Sequence, residues 1–130
     1  MKKLSLIGIA ALVAVLLAFA STALAAGDKG GRGIVKTGTC SAGSTWKLKA
    51  KADDGRIESE FEVDQNRVGR RWRVTLVRNG STVFSGIRTT LAPSGSFSLH
   101  RLLAAAPASR IVATAKAMRG GETCRAVIAL

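Results

Sequence analysis

The chain holds one histidine, His100, so any nucleophilic triad has to be built on it. Ser96 and Ser98 alternate with Phe97 and Leu99 just before it, and on a strand the three polar side chains share one exposed face. That is the pattern of a half-exposed strand histidine. Glu58, Glu60 and Glu62 also alternate, which spaces neighbouring carboxylates about 7 Å apart, close to the separation in a glycosidase pair. Lys47, Lys49 and Lys51 recur at the same period and supply each glutamate with a counter-charge, so the three read as an ion-pair ladder. Two cysteines and one distant histidine fall short of a four-ligand zinc site. Asp53-Asp54 and Asp64-Gln65-Asn66 are oxygen-rich turns without the ligand series of a calcium loop. Asn79-Gly80-Ser81 spells a glycosylation acceptor, but a tight hairpin already demands Asn-Gly. No catalytic set, metal or cofactor is therefore expected, and the chain reads as a binding module rather than an enzyme.

Composition narrows what such a module meets. Twenty Lys and Arg against eight Asp and Glu give the 130 residues a formal charge of +12. Residues 1–25 read as a secretory signal: Lys2 and Lys3 precede an apolar run from Leu4 to Ala20, and Ala23-Leu24-Ala25 is a small-x-small cleavage pattern. Cleavage there leaves a charge of +10. The first cysteine is Cys40, too far along for lipid attachment behind the apolar run, so no lipid anchor is expected. Cys40 and Cys124 both lie in the exported part, where an oxidising compartment favours a disulfide. A bridge closing so long a loop stabilises by about 4 to 5 kcal/mol in the chain-entropy model. Residues 26–39 are Gly-rich and polar apart from Ile34 and Val35, and are expected to be a flexible leader to a domain spanning 40–130.

Beyond Cys40 the periodicity is two, punctuated by hairpin dipeptides, which predicts an all-β antiparallel domain of seven strands. A type I′ turn at Asp54-Gly55 sets Trp46 opposite Val63, Leu48 opposite Phe61, Ala50 opposite Ser59 and Ala52 opposite Ile57 on an inward face. The same register places the three Lys–Glu rungs outside, and a slip of one residue destroys both faces. A turn at Asn79-Gly80 sets Trp72 against Ile87, Val74 against Ser85 and Leu76 against Val83 inside. Outside it sets Arg71 against Arg88, Arg73 against Gly86 and Thr75 against Phe84, so that like charges meet with no carboxylate on the ribbon. A third hairpin at Gly120-Gly121 pairs Ile111 with Leu130 and Ala117 with Cys124 inside, and Lys116 with Arg125 outside. Between these ribbons, Ser96 to Leu102 forms a strand entered through Ala92-Pro93-Ser94-Gly95.

Seven short strands at this spacing from Thr45 to Leu130 resemble an immunoglobulin or fibronectin type III sandwich. The resemblance implies one sheet from the first, second and fifth strands and another from the remaining four, with Trp72 in the core-tryptophan place. The cysteines depart from the antibody pattern, since they permit a staple between the first and last strands instead of a bridge between the second and sixth. The chain is also similar, more loosely, to small exported actinobacterial proteins of unassigned function, a likeness that brings no catalytic motif.

The two outer faces are expected to differ: one self-neutralised, the other bearing Arg71, Arg73, Arg88, Lys116 and Arg125, with Arg67 and Arg70 on the adjoining loop and Phe84 as an exposed aromatic among them. Such a face suits an anionic polymer, such as a cell-wall phosphate polymer or extracellular nucleic acid, or an acidic protein, outside the cell or within its envelope. A competing expectation is a small secreted inhibitor or effector that offers a partner protein an edge or a loop such as Asp64 to Arg70.

Overall fold

Asp54 and Gly55 both have positive φ, 47° and 74°, as a type I′ turn requires, and they join β2 (Thr45–Asp53) to β3 (Arg56–Asp64). The register is the expected one throughout, from Trp46 opposite Val63 to Ala52 opposite Ile57, with Lys47, Lys49 and Lys51 facing Glu62, Glu60 and Glu58. The computed structural model describes residues 33–106 and 108–130, which form eight strands and no helix. The signal segment 1–25 and the first part of the 26–39 leader lie outside the described residues.

The additional strand is β1 (Ile34–Thr39), within the stretch expected to be a leader. It pairs antiparallel with β2, setting Ile34 against Ala50 and Gly38 against Trp46. A Cβ on Gly38 would lie 2.4 Å from the Trp46 ring, so the glycine is the space that the indole fills. The other strands are β4 (Arg71–Arg78), β5 (Ser81–Thr89), β6 (Ser96–Ala104), β7 (Arg110–Ala117) and β8 (Thr123–Ala129). They complete two antiparallel sheets, β1-β2-β3-β6 and β5-β4-β7-β8, packed as a sandwich.

The core lies between the sheets. Leu48, Ala50, Ile57, Phe61, Val63, Phe97 and Leu99 face Trp72, Val74, Leu76, Ile111 and Ile128 from the opposite sheet. Ala113, Ala115, Ala117 and Ala126 make room for the larger rings. Trp72 is fully buried, tilted against Phe97 with ring centroids 6.3 Å apart, and its indole N–H donates to Gln65 Oε1 at 3.0 Å. The one polar side chain on the inward face of β3, Ser59, donates to the Arg101 carbonyl at 2.9 Å.

Two hairpins depart from expectation. At Asn79-Gly80 the turn and the first two rungs stand as expected, but a bulge between Leu76 and Val77 shifts the rest by one residue. Leu76 therefore faces Phe84, Val74 faces Gly86, Trp72 faces Arg88 and Arg71 faces Thr89. The shift separates Arg71 from Arg88, the like-charge rung that a regular ladder imposes. It also turns Phe84 inward, where its ring lies over Gly86, on which a Cβ would meet it at 2.9 Å. At Gly120-Gly121 the pairing moves by two residues, giving Ile111 opposite Ile128 and Lys116 opposite Thr123, because Met118 to Gly121 form a four-residue loop in place of a two-residue turn. An even shift keeps every side chain on its expected face.

The lateral edges are closed differently. Cys40 and Cys124 form the disulfide, with Cα atoms 4.4 Å apart, and fasten the β1–β2 connection to β8 across the two sheets. On the opposite edge, the guanidinium carbons of Arg88 on β5 and Arg101 on β6 lie 4.9 and 4.4 Å from the centre of the Phe84 ring.

Candidate anion-binding surface

The outer face of the β5-β4-β7-β8 sheet carries cations and no acid, since none of these four strands contains Asp or Glu. Arg71 and Arg73 project from β4, Lys116 from β7 and Arg125 from β8, all exposed as expected. Arg73 stands opposite Lys116, and one rung along Thr75 stands opposite Thr114, itself opposite Arg125. The Thr75 and Thr114 hydroxyls hydrogen-bond to each other between these charges. Lys116 and Arg125 are thus diagonal neighbours, not the direct pair expected. Arg110 occupies the same face at its far end, beyond half-buried Val77, Val112 and Val127.

The face continues onto one end of the sandwich. There the β3–β4 loop (65–70) and the β7–β8 loop (118–121), with Arg71 at the start of β4, enclose a concavity of about 570 Å³. Arg67, Arg70 and Arg71 line it, as does Arg119, which the sequence reading did not select because only the four-residue loop carries it there. Among the described residues, none of these four guanidinium groups has a carboxylate within ion-pair distance.

The loop that presents them is held on several sides. Asp64 Oδ1 accepts from Asn66 N at 2.9 Å, so the oxygen-rich stretch serves as a turn. Fully buried Thr90 accepts from Arg70 N, donates through its hydroxyl to the Arg67 carbonyl, and pairs its own backbone with Gly69 and Arg70. Gly95 backs directly onto Arg67, where a Cβ would approach the backbone nitrogen to 2.3 Å. Met118 N donates to the Arg71 carbonyl at 2.9 Å, tying the second loop to the first.

Glu122 lines the adjoining hollow with Arg67 and Arg119. Its carboxylate is engaged elsewhere: Oε2 accepts from Ala42 N and Ser44 N, both at 2.9 Å, and Oε1 from Ser44 Oγ at 2.6 Å. Burial pushes this carboxyl up, but the three hydrogen bonds from Ser44 and Ala42 outweigh it and hold the group below its ordinary value. Glu122 therefore stays charged while fastening the 40–44 turn to the β8 side of the molecule.

Two expected members stand apart. Phe84 and Arg88 do not belong to the outer face; the β5 bulge turns both inward, where Arg88 lies over the half-buried Phe84 ring and donates to the Ile87 carbonyl at 3.2 Å. The opposite sheet keeps its mixed ladder. There His100 is 71% exposed and its Nε2 lies 3.9 Å from Glu60 Oε1, so the histidine faces a carboxylate across the β3–β6 rung. Comparison with protein-family models, curated proteins and solved structures finds no match to this chain.

Proposed function

We propose that this protein is a secreted, non-enzymatic β-sandwich module, immunoglobulin- or fibronectin type III-like in topology, that binds an anionic polymer through its basic sheet. The observation that carries the reading is the separation of charge. Six of the eight acids lie between Asp53 and Asp64 on the opposite sheet, whereas Arg71, Arg73, Lys116 and Arg125 share a face without a carboxylate and run on into Arg67, Arg70 and Arg119. Arginine predominates, and its planar fork suits tetrahedral phosphate or sulfate oxygens. The amino-terminal signal pattern and the disulfide support an extracellular or envelope location.

Single-stranded DNA titrated across a range of salt is the direct test. About four phosphate contacts give a slope of log affinity against log salt near −3, and Arg73→Ala with Lys116→Ala together lessen it by about 1.4. Arg88→Ala, off this face, leaves the slope unchanged. A slope insensitive to the Arg73/Lys116 pair refutes the assignment.

A further inference from the structure

We infer that the arginine-lined concavity between the 65–70 and 118–121 loops is a pocket for a terminal phosphate, so that the protein engages an anionic chain by its end. The inference rests on the anionic-polymer reading and adds a direction to it. The outer face is flat, with cations on alternate residues of a strand about 7 Å apart and on neighbouring strands about 5 Å apart. Such an array meets singly charged groups in succession. The end of the sandwich differs in shape: Arg67, Arg70, Arg71 and Arg119 come from two loops and a strand terminus to surround one hollow.

A phosphodiester offers about one charge, whereas a phosphomonoester near neutral pH carries about −1.5 to −2 and three acceptor oxygens. A concave set of guanidinium forks distinguishes these two better than a flat one, because donors reach the extra oxygen from another side. Preorganisation adds to the discrimination. The Arg67 and Arg70 backbones are fixed through Thr90, the Arg71 carbonyl accepts from Met118 N, and Gly95 leaves Arg67 no room to retreat. Glu122, the carboxylate in the adjoining hollow, is hydrogen-bonded to Ala42 and Ser44 and, among the described residues, makes no direct ion pair with these cations. A volume of about 570 Å³ accommodates the phosphate with the unit that bears it, and Met118, 49% exposed at the rim, supplies an apolar contact for that unit.

The test compares two thymidine 12-mers, one with a 5′-phosphate and one with a 5′-hydroxyl, by fluorescence anisotropy on the chain from Ala26. The phosphorylated strand is expected to bind about tenfold tighter. Arg67→Ala/Arg119→Ala should abolish that preference, whereas Arg73→Ala/Lys116→Ala, on the outer face, should weaken both strands alike and leave the preference in place. Thymidine 5′-monophosphate should compete away the preference alone, which separates a free phosphomonoester from a chain end. Equal affinity of the two strands for the unaltered protein overturns the terminal pocket and leaves the polymer reading standing. If neither strand binds, both readings are overturned.

Discussion

Replacing Glu122 tests how the loop end is assembled. Three donors converge on its carboxylate, Ala42 N and Ser44 N at 2.9 Å and Ser44 Oγ at 2.6 Å, and Ser44 is itself buried. Hydrogen bonds to a charged group contribute about 1.5–3 kcal/mol each, and less than their sum when they share one partner. Glu122→Ala strands all three donors beside a turn that the disulfide prevents from leaving, so the expected loss is about 3 kcal/mol. For a domain of this size that lowers Tm by roughly 10–25 °C. Glu122→Gln keeps an oxygen for the two backbone donors and an amide for the serine hydroxyl, and should lose only about 1 kcal/mol at pH 7. Because the carboxyl sits below its ordinary value of 4.5 in the folded chain, the unfolded state binds the proton more readily. The stabilisation is therefore complete above that range and drains away as pH falls toward the folded value. Urea unfolding of the wild type and Glu122→Gln at pH 7 and at steps down to pH 3 reads this directly: the gap between them should shrink on acidification. A gap that stays constant to pH 3, or Glu122→Ala within about 0.5 kcal/mol of wild type at pH 7, refutes the reasoning.

Other perturbations probe the packing. Gly38→Ala drives a methyl group into the Trp46 indole and should destabilise by about 1–3 kcal/mol, with a shift in tryptophan fluorescence; an unchanged urea midpoint contradicts the close packing. Phe84→Ala removes a half-buried ring and the surface on which Arg88 and Arg101 rest, for an expected loss of about 2–3 kcal/mol in chemical unfolding. If Phe84 stood on the outer face, the loss would stay near zero. Replacing Cys40 and Cys124 by serine should lower stability by about 2–5 kcal/mol, measured against the oxidised wild type in the same denaturant series.

What the sequence disclosed depended on how many constraints acted on each ribbon. In the β2–β3 hairpin the Asp54-Gly55 turn, an apolar face and three Lys–Glu rungs agree on a single register, and the pairing could be read residue by residue. The β4–β5 ribbon has only a turn and apolar alternation, and Val83, Ser85 and Ile87 alternate as plausibly as Phe84, Gly86 and Arg88. The bulge chooses between them by what happens across the sheet, where Gly86 accommodates the ring and Arg71 is spared Arg88. A strand glycine two residues from an aromatic was the available clue, and Gly38 opposite Trp46 was its counterpart for β1. Arg71 and Arg73 sit on the expected face because the extra residue of the bulge falls on β5, and Lys116 and Arg125 because their parity survives the two-residue shift of the last hairpin. Arg119 escaped because a loop residue has no periodicity to betray where it points.

The unlike closure of the two edges has a mechanical consequence. With Cys40 and Cys124 binding one side like the spine of a book, the sheets can part only along the fore-edge, where Phe84 and its two arginines hold β5 against β6. Breathing of the sandwich should then be graded across its width, with amide exchange fastest in β5 and β6 and slowest in β2 and β8.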